Sequence, residues 1–426
     1  MAAGIARWLQ GAFNVEYDEA GAVVAGFAMF FQLFAGYFML RPVRETMGIA
    51  GGVDNLQWLF TGTFVATLAA MPLFGWIAGR VRRRRILYWV YGFFVGNLLA
   101  FAACFIAMPG DPWIARAFYI WLSVFNMIAI SVAWSVLVDV FTSAQSRRLF
   151  ALMAAGASLG GLVGPLLGVF LVGPLGYAGL MLLSAVLLAG AAVAAWRVHR
   201  WRDARPLPGD ADLPRQKPLG GSPLAGATDV LRSPYLLGIA TFVLLLASVT
   251  TFLYFEQAAL VEARFPDPKD QTRVFGIIDT VVQTLAILSQ LFITGRVAKT
   301  LGVGVLLVAV PLVVAAGFLW LAFAPVFAVL AVVMVVRRAG EYAFVRPGRE
   351  MLYTVVAPEA KYKAKNFNDT VVYRGADAVS GWVKAGIDML AQQPAVAMVI
   401  GSGIALVWAA NGAWLARAQR RISPAP

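Results

Sequence analysis

Twelve long apolar stretches constrain this chain more than any other feature. They run over about 22–49, 56–79, 86–108, 113–142, 149–173, 176–197, 235–260, 272–294, 302–322, 325–355, 367–390 and 394–416. Each reaches or exceeds the roughly 18–20 residues a helix needs to cross a bilayer. Of the 426 residues, 60% are hydrophobic and only 13% are charged, where an ordinary soluble domain carries about 25% charged residues. So few polar residues cannot clothe a core of this size in water. The expected fold is an all-α membrane protein of twelve transmembrane helices in two six-helix bundles.

The loops set the orientation. A net charge of +13 would suggest nucleic acid in a soluble protein. Here most of the surplus sits in alternate short loops, the pattern of the positive-inside rule, so no nucleic-acid partner is expected. The basic loops hold Arg80, Arg82, Arg83, Arg84 and Arg85, then Arg147 and Arg148, then Arg296 and Lys299, then Lys361, Lys363 and Lys365. The central linker (Arg197, Arg200, Arg202, Arg205, Arg215, Lys217) and the end of the chain (Arg417, Arg420, Arg421) add to the same side. Loops 51–55, 108–112 and 392–394 hold no basic residue. Both termini are therefore expected in the cytoplasm of a bacterial inner membrane. The organisation expected is a cytoplasmic segment 1–20 with a short surface helix around Ile5 to Phe13, a first bundle 21–197, a proline-rich linker 198–232, a second bundle 233–417 and a tail 418–426.

Little points to an enzyme. Cys104 is the lone cysteine and lies within an apolar run, so no disulfide or cysteine metal site is expected. His199, the one histidine, stands among arginines after a span and reads as a solvated loop residue. No cofactor, metal site or cleavable leader is read from the chain, and a monomer is expected.

Charges within the apolar stretches carry the functional signal, since such charges face a cavity or a partner. One pentapeptide recurs: Arg41-Pro42-Val43-Arg44-Glu45 and Arg346-Pro347-Gly348-Arg349-Glu350 both read R-P-x-R-E. A charged helix end accounts for either copy alone. Six plus six helices joined by a cytoplasmic linker, however, resembles the layout of the major facilitator superfamily, whose halves are paired inverted repeats. That resemblance makes helices 1, 4, 7 and 10 equivalent and cavity-lining, with the two copies on helices 1 and 10. Arg41 comes about 28 Å along an outward helix and Arg346 about 31 Å along an inward one, at ~1.5 Å per residue. Asp139 and Glu256 sit late in helices 4 and 7. The symmetry predicts an outer group of Arg41, Arg44, Glu45 and Glu256, and an inner group of Asp139, Arg346, Arg349 and Glu350.

Arginine's planar fork grips carboxylate or phosphate through two parallel hydrogen bonds and keeps its charge when desolvated. Two arginines three apart share a helix face, and an adjacent glutamate can neutralise one while the site is empty. Pro42, Pro347 and Gly348 weaken their helices at the depth where transporters place binding groups. The alternative is that the arginines reach toward the interface and the glutamates pair with them as gates; the two roles are compatible. Asp279, Arg338, Glu341, Asp369, Arg374 and Asp377 are further intramembrane charges for coupling or gating, with Arg338 and Glu341 able to pair along one face. Gly156, Gly160, Gly164 and Gly168 recur every fourth residue and read as a close-packing face. Trp58, Trp113, Trp196 and Trp320 fit interfacial belts.

These residues also resemble the ATP/ADP translocases (nucleotide transporters) of plastids and intracellular bacteria. The family's L-R-D-x-K-D is similar to Leu40-Arg41-Pro42-Val43-Arg44-Glu45, and its D-P-x-K-E-M-x-Y to Arg346-Pro347-Gly348-Arg349-Glu350-Met351-Leu352-Tyr353. Its K-G-K-x-x-x-D resembles Lys363-Ala364-Lys365-Asn366-Phe367-Asn368-Asp369. Trp134 followed by Ser146-Arg147-Arg148-Leu149-Phe150 resembles its tryptophan and A-K-[KR]-F-Y element. There are departures. Met127 to Ser131 is neutral where the family has an acid, Glu256-Gln257 stands without the family's Trp-Lys pair, and Arg346 and Pro42 replace acids. The substitutions keep or raise positive charge, so the resemblance implies an anionic substrate and carries the scaffold further than the nucleotide.

The expected function is alternating-access transport of a small anionic, phosphorylated metabolite, nucleotide-like by resemblance and with ATP/ADP antiport as the family's mode. The alternative is a proton-coupled carrier of another organic anion, such as a phosphorylated sugar, a cell-wall fragment or a charged lipid.

Overall fold

Apolar runs with no polar partner for their backbone must satisfy every peptide group within the segment, which in a bilayer selects the helix. The computed structural model describes residues 15–78, 80–81, 83–205, 226–391 and 393–422. The surface helix expected near Ile5 to Phe13, linker residues 206–225 with Arg215 and Lys217, and Arg82, Gln392 and the last four residues lie outside these. Every regular element among the described residues is helical. The long helices are α1 (Ala20–Ala50), α2 (Leu56–Ala78), α3 (Arg83–Ala107), α4 (Pro112–Val140) and α5 (Ser143–Asp203). A short α6 (Ala227–Arg232) precedes α7 (Pro234–Arg264) and α8 (Pro268–Ser289). A π turn (Gln290–Thr294) leads into α9 (Gly295–Phe323). Then α10 (Phe327–Gly340), a π turn (Glu341–Val345) and α11 (Arg346–Leu352) follow in one run. The last run is α12 (Pro358–Phe367), a π turn (Asn368–Val372) and α13 (Tyr373–Ala391), and α14 (Pro394–Ile422) ends it.

Among the described residues, eight helical stretches are long and apolar enough to cross a membrane. Two of them, Ala144–Asp203 and Pro268–Phe323, are 60 and 56 residues long, against about 20 for one crossing. Each contains one non-helical residue, Gly176 (φ 62°) and Gly302 (φ 77°). Positive φ favours glycine, and these breaks fall where the apolar pattern ends one span and begins the next. The stretches around α10–α11 and α12–α13 are helical but carry the charges discussed below.

By their internal contacts the residues form two compact units. The first takes 1–46, 73–220 and 272–280; the second takes 47–72, 221–271 and 281–426. Chain order alone assigns 47–72 and 272–280 the other way.

In the first unit the glycine face of α5 meets the backbone of α1. A methyl group on Gly156, Gly160 or Gly164 would overlap the carbonyl oxygens of Phe27, Phe31 and Ala35, and one on Gly168 would lie 3.1 Å from that of Met39. Both sets step by four residues, so the helices run together over three turns. This close approach bears out the packing read from the glycine spacing, and it fixes the helix that carries Arg41 and Arg44. His199 differs from expectation. It lies within α5, 9% exposed, with its ring 6.3 Å from that of Tyr88, because the helix continues to Asp203 instead of ending near 197.

The second unit is centred on Phe242, Phe252, Phe318 and Trp408, all buried. Its α7 and α13 are joined by a hydrogen bond between the Ser248 and Ser380 hydroxyls (2.8 Å) and by one from Thr251 to Asp377 (3.2 Å). The start of α2 packs on the same pair: Gln57 against Gly381, Phe60 against Tyr254, and Thr61 accepting from the Trp382 indole at 3.0 Å.

Candidate functional site

The two R-P-x-R-E copies are built differently. In the first, α1 runs unbroken through Pro42. Arg44 donates to its neighbour Glu45 at 2.8 Å and to the Ser123 hydroxyl of α4 at 3.2 Å, and its guanidinium lies over the Tyr119 ring at 4.8 Å. Both partners of the Arg44–Glu45 pair are largely shielded, at 15% and 11% side-chain exposure. Here the adjacent glutamate neutralises its arginine, as the sequence suggested. Arg41 lies over Phe38 and 3.8 Å from the buried carboxylate of Asp279 on α8. That distance is an ion pair beyond hydrogen-bond length. The Thr46 hydroxyl, 3.2 Å from the Pro42 carbonyl, also meets the Thr272 hydroxyl of α8 at 2.7 Å.

In the second copy the helix widens just before the motif. Arg346 donates its main-chain N–H to the Glu341 carbonyl five residues back. In an α-helix, positions five apart point about 140° away from each other at ~3.6 residues per turn. A π turn closes on the fifth residue, and it brings the Arg346 guanidinium to the Glu341 carboxylate with Nε and Nη2 both at 3.4 Å. Glu341 is shared. Arg337, one α-turn earlier, donates to it at 3.1 Å and to the Thr250 hydroxyl of α7 at 2.8 Å. The three-residue spacing allows Glu341 to pair with Arg338; the structure gives it Arg337 and Arg346, while Arg338 is buried on α10.

Glu350 does not neutralise the arginines of its own motif. It takes Lys365 at 2.7 Å, while Arg349 takes Asp369 at 3.0 Å. The stretch 363–369 therefore pairs twice with the pentapeptide, and Lys365, read as a solvated topology signal, belongs to the site. Arg374 lies 3.4 Å from Asp377. The cations are held unequally: the side chain of Arg337 is 4% exposed and that of Arg349 13%, but that of Arg346 is 54%, resting on the Tyr342 ring at 4.3 Å.

Neither four-residue group predicted from inverted symmetry falls within one compact unit. Arg41, Arg44, Glu45 and Asp139 belong to the first; Glu256, Arg346, Arg349 and Glu350 belong to the second. The first unit also supplies Asp279 beside Arg41. Glu256 itself is buried on α7 within electrostatic reach of Lys384 and Asp388. Lys384, 3% exposed, bonds both Asp388 oxygens at 2.7 and 2.6 Å, and sequence reasoning missed it. The signal was present: Arg374, Asp377, Ser380, Lys384 and Asp388 step by three or four along one face of α13. Among the described residues, no three His, Cys, Asp or Glu side chains are placed to hold a metal ion.

Charged side chains inside helices this apolar are costly unless they face a partner or a cavity. Residues 21–336, about three quarters of the chain, match the sequence profile of the Major Facilitator Superfamily. The chain belongs to this superfamily. It is accordingly a transporter and not an enzyme: a multi-pass membrane protein that moves a small solute across the bilayer by alternating access. A search of curated proteins finds no matching sequence. Three solved structures share the superfamily fold at low identity. A bacterial homologue of the human lysosomal transporter Spinster, inward-facing and unoccupied, has a TM-score of 0.61 and 14% identity, covering 96% of this chain and 99% of its own. A bacterial homologue of the iron transporter ferroportin, also inward-facing, scores 0.64 at 13% identity over 92% and 98%. A point mutant of the nucleoside transporter NupG scores 0.61 at 13% identity over 95% and 100%.

Proposed function

We propose that the solute is a small anion, with phosphorylated and nucleotide-like metabolites first among the candidates, and that the two R-P-x-R-E copies supply its ligands. The observation that carries this reading is Arg346. Its side chain is half exposed, and its guanidinium is held by two long bonds to a carboxylate already satisfied by Arg337. An incoming phosphate or carboxylate can replace Glu341 at Arg346 in a bidentate grip and leave no buried acid unpaired. Arg44, Arg41 and Arg349 are cations of the same path whose partners Glu45, Asp279 and Asp369 act as gates when no anion is bound. The resemblance to nucleotide translocases and the surplus of cations at these positions support the same reading. The helices are read as twelve spans, six on each side of the 198–232 linker, with the breaks at Gly176 and Gly302 separating two pairs. Both termini lie in the cytoplasm, by the placement of basic loops, in a bacterial inner membrane.

Thermal-shift measurements on purified protein with ATP, ADP, inorganic phosphate and a sugar phosphate, followed by uptake into liposomes with and without internal counter-substrate, test the proposal. Stabilisation by ATP or ADP with strict counter-exchange supports the translocase form; no stabilisation by any anion overturns it. One observation favours the proton-coupled alternative. Glu256 is a buried acid beside a lysine whose charge Asp388 already takes, so protonating Glu256 neutralises the trio. Uptake driven by a pH gradient alone, and lost in Glu256→Gln, selects that alternative.

A further inference from the structure

Pro347 removes more than a helix bond. Having no N–H, it offers nothing to the carbonyls four and five residues before it, those of Ala343 and Tyr342. In the π register the N–H of Arg346 is spent on Glu341, so Tyr342 receives nothing from that residue either. Two side chains from the neighbouring π turn serve these same two carbonyls. Gln290 Nε2 donates to Tyr342 O at 3.0 Å, and the buried Thr294 hydroxyl lies 2.8 Å from Ala343 O. Thr294 is also 3.1 Å from its own Ser289 carbonyl, the longer of its two contacts.

The two donors have different jobs. In an α register the N–H of Arg346 would return to Tyr342 O, four residues back, and Gln290 would be redundant. Ala343 would still face the proline, and Thr294 would still be needed. The Gln290 bond is thus specific to the π register, and the Thr294 bond is specific to the proline. Exchanging registers gives up the Gln290 hydrogen bond and the two long Arg346–Glu341 contacts, while the main-chain donors change partners. The exchange separates Arg346 from Glu341 because residues five apart in an α-helix do not face each other.

We propose that Glu341–Val345 is a two-register element, held in its wide form by Gln290 as a positioning residue while Thr294 serves the Ala343 carbonyl in either register, and that the register decides whether Arg346 faces Glu341 or is handed to the anion. The functional half of this rests on the anion reading above; the structural half does not, and the two are tested separately.

The structural arm needs no ligand. Gln290→Met and Thr294→Val are each expected to lower the melting midpoint of the purified protein by roughly 1–3 °C, as the loss of a hydrogen bond to a main-chain carbonyl does in a chain of this size, with Thr294→Ser close to wild type. In a Pro347→Ala background the restored N–H serves one of the two carbonyls directly, so at least one of the two penalties should vanish. Persistence of both penalties at full size in that background overturns the proposal, as does a Thr294→Ser protein that melts like Thr294→Val. A further readout is one that loss of general packing would not move. The coupling between Glu341→Gln and Arg346→Gln, measured as a double-mutant cycle on melting, should be present in wild type and absent in Gln290→Met. An undiminished coupling in Gln290→Met overturns the register assignment. The functional arm uses ATP and inorganic phosphate as probes. If the structural arm holds and Gln290→Met shifts neither probe's apparent affinity, the link between register and anion is overturned and the register element stands without it; if neither probe binds the wild-type protein, the anion reading itself fails.

Discussion

Arg337 and Arg346 share one carboxylate, yet they should fail in opposite ways. Arg337 is desolvated and bound by both Glu341 and Thr250. Removing one partner of such a buried pair strands the other and costs about 3–5 kcal/mol, so Arg337→Gln should show as a large fall in melting temperature. Arg346 is half exposed, and an ion pair in that setting contributes about 0–1 kcal/mol. Arg346→Gln should therefore lower melting by far less than Arg337→Gln does, while removing stabilisation by added anions. A large drop in melting for Arg346→Gln would make it a structural residue. At the same scale, Arg44→Ala and Arg349→Ala should each abolish uptake by liposomes holding normal amounts of folded protein; retained transport in both would discard the anion clamp. The sequence showed these arginines because charge in an apolar run is conspicuous. It did not show their partners, since Glu341 lies an α-turn from Arg337 and a π turn from Arg346, and a π turn leaves no periodic mark in the sequence.

Among elements, the α1–α5 seam has the sharpest consequence. A leucine at Gly160 would collide with the Phe31 carbonyl and the Ala35 backbone, and neither helix can yield without moving its whole length. Gly160→Leu should prevent recovery of a monodisperse protein. Gly21→Ala, where nothing lies within 4 Å, should leave melting at or slightly above wild type, since alanine is the better helix former by about 0.5–1 kcal/mol. The glycine seam was legible because a four-residue repeat of one small residue has few other uses. The run-together helices of α5 and of α8–α9 were legible as spans but not as continuous helices, because one left-handed glycine in each joins them with almost no loop. His199 was misplaced for the same reason: where an apolar run stops is a poor guide to where a helix stops when arginine stems can extend it.

For the whole molecule, loop charge is the observation that predicts orientation. A reporter active only in the cytoplasm should work when fused after residue 426 and fail when inserted at Gly110, a positive-φ residue in a loop lacking basic side chains; the reverse result would invert the topology. The multi-pass membrane fold was readable from span length and composition, since span length is set by bilayer thickness. Which residues gather in which compact unit was not, because 47–72 and 272–280 join units by packing that chain order does not encode.

The glycine seam also differs in kind from the ion pairs beside it. Its carbonyls at Phe27, Phe31, Ala35 and Met39 lie over glycine Cα atoms, whose polarised C–H groups are weak donors contributing about 0.5–1 kcal/mol each. Such contacts bear no net charge, so a passing ion, a change of pH or added salt has little purchase on them. In the proposed clamp, the ion pairs of Arg41 and Arg44 would exchange partners on a strut indifferent to the charge they bind.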